Sequence, residues 1–253
     1  MKRIVESMWF IGALLAVNIV QAATVAHWDM SPTNAVNGVF VPGNGNRAVD
    51  VNEDGVISSD DFLIGAVDVS GNGNHLTAWT SSTMKWTKDR FISGYSVVNA
   101  NAEPKLCTDS TYNPFVSGID AESIAPAQWT VEAVFKVGKF PDYNSTIVGR
   151  NGTKIGETDR EVAPLYFSTR GTDLAIQYND VEGAVHTLQV AAGLKEKVWY
   201  CAAAVSDGTT LSLYLNGEVI GTLDLTTSGT DTALATGFGT WTVACGMWGE
   251  GTG

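Results

Sequence analysis

The sequence has little of what builds metal centres and catalytic bases from imidazole and thiol: 3 histidines and 3 cysteines in 253 residues. Cys107, Cys201 and Cys245 stand far apart, and His27, His75 and His186 cannot complete a zinc motif with them. Basic residues are also scarce. Lys and Arg number 15 against 27 Asp and Glu, a net charge of −12. That excess repels phosphate and argues against nucleic acid as a partner; it suits a cation, a cationic partner or a neutral glycan. Helical periodicity is nearly absent. No apolar run reaches the roughly 20 residues that span a bilayer. The longest, Met8–Val17, is broken by Asn18.

That apolar run follows Lys2 and Arg3, and Val20-Gln21-Ala22 ends it with small residues at the cleavage positions. The pattern predicts a signal peptide over 1–22 and a secreted or cell-surface mature chain, 23–253, with no membrane span. In an exported chain the cysteines allow one disulfide and one remaining thiol. Cys201 and Cys245 both lie in strand-like runs and are favoured, with Cys107 able to replace either.

What the chain has in quantity is glycine, 27 residues, between short alternating or apolar runs. Thr24–Asp29, Leu76–Trp79, Ser96–Asn99, Trp129–Val137, Ser145–Gly149, Leu165–Thr169, Leu174–Asn179, Thr187–Ala191, Val198–Val205, Thr210–Leu215, Glu218–Leu225 and Trp241–Met247 read as strands. In Trp129–Val137 the odd positions are apolar and the even ones mostly polar, the signature of a sheet with one wet side. Asn216-Gly217 between two strands predicts a type I′ hairpin. So many short strands predict an all-β fold, a two-sheet antiparallel β-sandwich. Trp28, Trp129, Phe135, Trp199 and Tyr214 are assigned to its core.

Residues 37–67 look like an insertion after the first strand. Within it Asp50-Val51-Asn52-Glu53-Asp54-Gly55-Val56-Ile57-Ser58-Ser59-Asp60-Asp61 fits a calcium loop, with Gly55 at the sharp turn. Calcium takes about six to eight oxygen ligands. Here they are Asp50, Asn52, Asp54, the Val56 carbonyl, Ser58 and Asp61, so the expected cofactor is one Ca2+. Phe62-Leu63-Ile64 then reads as one helical turn.

Several segments together resemble laminin-G-like, concanavalin A-like jelly rolls. They are Val25-Ala26-His27-Trp28-Asp29-Met30, Asp68-Val69-Ser70-Gly71-Asn72-Gly73-Asn74-His75-Leu76, Trp129-Thr130-Val131-Glu132, and Leu213-Tyr214-Leu215-Asn216-Gly217. The resemblance covers residues 24–248 and implies a jelly roll of the lectin and glucanase type. It also implies a further closing strand after Gly246-Met247-Trp248; the sequence stops at Gly253, so the expectation is either a missing last strand or a fragment truncated at the C-terminus. The acidic loop resembles one repeat of a dockerin or EF-hand; a dockerin has two, which sets docking onto a cohesin aside.

A glucanase on this scaffold needs two carboxyl groups on one face. The pattern E-x-D-x-x-E does not occur, Glu132 has no acidic neighbour two residues away, and Glu157, Asp159 and Glu161 flank a loop-like stretch. No Gly-x-Ser-x-Gly nucleophile turn is present. The expected function is therefore non-catalytic recognition of a glycan or glycoprotein. The alternatives are a glycan-cleaving enzyme on the same scaffold and a structural or adhesive module of a larger surface protein. Sugar rings stack on aromatic faces, and the aromatics placed in loops or at strand ends include Trp79, Trp86, Tyr178 and Trp248. With Arg150, at the end of an apolar strand, they form the expected ligand-binding set.

Overall fold

The structure is a computed structural model. It describes residues 24, 26–28, 32–36, 39–42, 47–49, 53–57, 62–66, 68–78, 84–87, 89, 91, 96–99, 106–107, 126–140, 144–150, 153–154, 161–162, 165–235 and 241–244. The strands in its first half are β1 Pro32–Val36, β2 Val39–Pro42, β3 Arg47–Val49, β4 Phe62–Ala66, β5 Leu76–Ala78, β6 Met84–Thr87, β7 Ser96–Asn99 and β8 Leu106–Cys107. Then follow β9 Trp129–Lys136, β10 Asn144–Arg150, β11 Thr153–Lys154, β12 Glu161–Val162, β13 Leu165–Arg170, β14 Asp173–Asn179 and β15 Val185–Val190. The last are β16 Trp199–Ser206, β17 Thr210–Leu215, β18 Glu218–Asp224 and β19 Trp241–Val243.

Two antiparallel sheets face each other. The smaller runs β18–β17–β16–β9, and the larger β15–β14–β13–β10–β19–β8–β5–β4–β6–β7, with β3 paired to β4. Alternation decides which side chains meet. Along β16, Tyr200, Ala202, Ala204 and Ser206 are buried while Trp199, Cys201, Ala203 and Val205 face outward. Across the gap, Leu165 and Phe167 of β13, Leu174, Ile176 and Tyr178 of β14, and Leu188 of β15 form the opposing layer. The fold is thus the expected antiparallel β-sandwich; in its core Ala202 and Ala204 of β16 stand between Trp129 of β9 and Leu211 and Leu213 of β17 and face the large residues of the other sheet. Small opposite large lets the layers interdigitate at interior density.

The Asn216-Gly217 turn forms as predicted, with φ 52 and 87. Both values lie in the left-handed region that a type I′ hairpin demands and that glycine enters at no steric cost. The following strand carries a sharper constraint. Gly221 faces the interior where β18 meets β15, and a Cβ there would lie 2.5 Å from Val190 Cγ2. Valine is stiff at χ1, so the methyl cannot swing aside cheaply. Gly221→Ala is expected to cost about 1–3 kcal/mol. The paired change Val190→Ala should recover part of that loss in a double-mutant cycle read by urea denaturation.

Several expectations are corrected. Phe62-Leu63-Ile64 is not a helical turn: it opens β4, whose residues pair with β3, β5 and β6. Aromatic and β-branched residues fit the pleat better than a single isolated turn fits a helix. Within the stretch 37–67, β3 and β4 belong to the large sheet, while β2 pairs with β1. Of the expected first strand, Trp28 forms an isolated bridge with Asp68, and residues 25 and 29 lie outside the described residues. The last described strand stops at Val243, followed by Ala244 at φ 59.

Trp199 and Tyr214, assigned to the core, stand on the outer side of the small sheet. The Trp199 indole N–H donates to Asp89 Oδ1 at 3.0 Å, Lys136 Nζ lies 5.2 Å from its ring, and Lys136 is ion-paired to Asp89. Cys201 shares that outer side and is an unpaired thiol, not the disulfide partner expected for Cys245, which lies outside the described residues. Its Sγ sits 3.5 Å from Glu132 Oε1; burial and then the neighbouring Glu132 push the thiol pKa up, which keeps it protonated.

Candidate functional site

Of the expected ligand-contacting residues, Trp79 and Trp248 lie outside the described residues, and Trp86 is placed only as a member of β6. Arg150 and Tyr178 are described, and both are buried in the interior instead of standing at an exposed strand end. Arg150 is 1% exposed, donates from Nη1 to the Ala235 carbonyl at 3.1 Å, and lies over the Trp241 ring at 5.6 Å. Tyr178 is fully buried, edge-on to Trp129 and stacked on His186. Its hydroxyl donates to the Thr232 carbonyl at 3.1 Å. Burial, then the nearby Asp180 charge, pushes its pKa up to about 12. A polar tip let both side chains enter the core, since each finds a backbone carbonyl there.

Those carbonyls belong to residues 226–235, which close one end of the sandwich. Asp180 fixes the same segment. Its Oδ2 accepts from Thr230 Oγ1 at 2.6 Å and from His186 Nε2 at 2.8 Å, while Oδ1 accepts from the Glu182 and Ala184 amides. Burial alone would raise this carboxyl, but the donors outweigh it and hold the pKa below its ordinary value. His186 is thus a buried residue whose ring is satisfied by Asp180.

The Asp68–Leu76 signature has a structural role as well. Asp68 is 3% exposed and ties three points together. Its Oδ1 accepts from the amides of His27 at 2.8 Å and Ser70 at 2.9 Å, and Oδ2 from Asn74 at 3.0 Å. His75 Nδ1 accepts from the Asp68 amide, and the Asn74 carbonyl accepts from the Trp28 indole. Burial again works against ionisation, and the amide donors again prevail, so Asp68 also titrates below its ordinary range.

Of the expected calcium ligands, Asp54 and Val56 are described; Asp50, Asn52, Ser58 and Asp61 lie outside the described residues. Glu53 and Gly55 have φ 59 and 81, and Asp54 Oδ1 accepts from the Val56 amide at 2.8 Å.

What the sequence reading missed is the other side of the large sheet. In β13, β14 and β15 the residues that alternate with the core face away from the sandwich. Register places Arg170 beside Asp173, Ser168 beside Ala175 and Gln189, and Tyr166 beside Gln177 and Thr187. Asn144 and Thr146 of β10 continue the rows of Arg170 and Ser168. The middle of this face is buried, with Ser168 and Ala175 at 0%. Its rim is open: Asn144, Thr187 and Gln189 are exposed, and Arg170, Asp173 and Gln177 half-buried.

The rim side chains form one chain of hydrogen bonds. Asp173 Oδ2 accepts from Gln189 Nε2 at 2.7 Å, Gln189 Oε1 accepts from Arg170 Nη1 at 3.2 Å, and Arg170 Nη2 donates to Gln177 Oε1 at 3.2 Å. Beneath it, the hydroxyls of Ser168 and Thr146 and the carboxamide of Asn179 are buried without a protein partner. A face of hydroxyls, amides and one guanidinium is suited to hydrogen-bonding a polyhydroxylated ligand. The signal available in sequence was parity alone: Arg170, Gln177 and Gln189 all fall on the off-core position of their strands.

A two-sheet antiparallel sandwich with a polar outer sheet face defines the class. Residues 110–250 match Laminin_G_3, the concanavalin A-like lectin/glucanases superfamily, and the chain belongs to that family. No curated protein matches it in sequence. Among solved structures it is similar to the Ruminococcus gnavus IT-sialidase CBM40 bound to α2,3-sialyllactose. There the identity is 21%, the coverage 51% of this chain and 68% of that one, and the TM-score 0.40. It is also similar to the botulinum neurotoxin serotype D ligand-binding domain in complex with N-acetylneuraminic acid, at 12% identity, 77% and 44% coverage and TM-score 0.48. The binding domain of Paraclostridial Mosquitocidal Protein 1 gives 12%, 71% and 43%, and 0.48. The family assignment rests on the sequence match, not on these likenesses.

Proposed function

We propose that the mature chain is a secreted, non-catalytic carbohydrate-recognition module stabilised by one calcium ion. The observation that carries the recognition reading is the outer face of β13–β15. There a hydrogen-bonded rim of Arg170, Gln177, Gln189 and Asp173 borders buried hydroxyls that lack a protein partner, on a fold of the lectin and glucanase superfamily. Asp173 is the sole carboxylate in that rim, and glycoside hydrolysis by the usual routes needs a pair. The reading is tested on a glycan array with the mature domain, in calcium and in EDTA. Retention of no glycan in either condition would remove it.

For the ion, Asp50, Asn52, Asp54, the Val56 carbonyl, Ser58 and Asp61 supply oxygen donors, the chemistry calcium prefers. The left-handed turn at Glu53 and Gly55 supports the fit. Calcium would cross-link the connection between β3 and β4. An ion held at about 100 times its Kd adds about 2.7 kcal/mol. In a domain of this size that corresponds to a Tm about 5–10 °C higher in millimolar calcium than in excess EDTA. Equal melting temperatures in the two buffers, by scanning calorimetry, would eliminate the structural ion.

A further inference from the structure

Resting on the carbohydrate reading, we propose that Arg170 makes this face selective for acidic sugars, glycans that carry a carboxylate or sulfate. The chain is strongly acidic, at −12, yet among the described residues no ion pair neutralises this guanidinium. Asp173 stands directly across the ladder from it. No ion pair joins them, because the Gln189 carboxamide sits between: its Nε2 satisfies Asp173 and its Oε1 takes Arg170 Nη1. Gln177 takes Nη2 from the other side. Two neutral acceptors therefore fix the guanidinium plane without cancelling its charge.

Arg170 Nε is buried and unpartnered, as is the Ser168 hydroxyl of the same strand face. A planar, oriented, charged fork of this kind pairs bidentately with a carboxylate or sulfate, and charge-assisted bonds are about twice as strong as neutral ones. Were Arg170 present only to hold the two glutamines or to aid solubility, its charge would have no bearing on which sugars are retained.

The test uses the mature domain on an array of uronate-, sialate- and sulfate-bearing oligosaccharides beside neutral counterparts, followed by titration of the retained glycans. Wild type should retain acidic glycans, with affinity falling as salt rises. Arg170→Gln, which removes the charge and leaves a shorter, neutral hydrogen-bonding side chain, should weaken them about tenfold to a hundredfold. Gln189→Glu, which places a carboxylate against the guanidinium on an exposed position, should weaken them as well, and it decides the matter if Arg170→Gln does not fold. Retention of neutral glycans alone, or acidic binding unchanged in the folded variants, overturns the proposal and leaves the carbohydrate reading standing. Failure of wild type to retain any glycan overturns both.

Discussion

Replacing Asp180 by alanine is expected to destabilise the domain by about 4 kcal/mol, because several buried donors lose one charged acceptor at once. The carboxylate is 0% exposed and accepts four hydrogen bonds. Alanine would strand the Glu182 and Ala184 amides, the Thr230 hydroxyl and the His186 ring N–H, each a costly orphan if water cannot reach it. It would also release the 226–235 segment from the hairpin between β14 and β15, whose conformation Asp180 sets by binding its own turn. In a chain of this size the loss lowers Tm by about 8–16 °C. Asp180→Asn should cost less, because an amide keeps one acceptor while pointing its NH2 at a donor. Equal stability of Asp180→Ala and wild type in urea would show that the end segment is held without that carboxylate, by Tyr178, Arg150 and the backbone bonds from Val181, Leu234 and Ala235.

The same carboxylate gives the pH dependence a definite sign. Asp180 and Asp68 both titrate below the ordinary 3.8 in the folded state. A group with a depressed folded pKa contributes stability that is complete above its unfolded value and is lost as pH falls through the folded one. Stability should therefore hold from neutrality down to about pH 4 and decline below it. Asp180→Asn should flatten part of that acid limb in pH-dependent urea melts. An acid limb identical to that of wild type would assign the loss to other carboxylates.

Strand positions were legible because period-two alternation and turn chemistry are local. Ser96–Asn99 and Thr210–Leu215 coincide with the strands read from sequence, and Asn216-Gly217 turns as its φ requirement predicts. Which face an aromatic occupies was less legible. Trp199 carries enough apolar area for a core, yet its neighbours Tyr200 and Ala202 take the inner positions, and Asp89, Lys136 and Phe91 cover it from outside. Tyr178 and Arg150 misled in the opposite sense, since a strand end was read as a surface. Whether such an end is buried depends on residues 226–235, distant in sequence from both. The rim of Arg170, Gln177 and Gln189 was illegible for a related reason: its members come from three strands and become one network only through register.

Asp68→Ala is expected to cost about 3 kcal/mol, because a buried charge-assisted acceptor of three amides is lost at once. The effect should be local in origin. Asp68 joins the residues around Trp28 to the turn that precedes β5, through His27, Ser70 and Asn74. Without it, the Trp28 indole loses the fixed Asn74 carbonyl it binds at 2.6 Å, and β5 loses the turn that delivers Leu76, fully buried, to the large sheet. Hydrogen exchange should then rise first at Ser70, Asn74 and the amides of β5, while β13, β14 and β16 stay protected. A uniform rise over all strands at the same total stability would mean that this corner unfolds only with the whole domain. It would also mean that the Asp68–Leu76 signature is part of the same cooperative unit as the core.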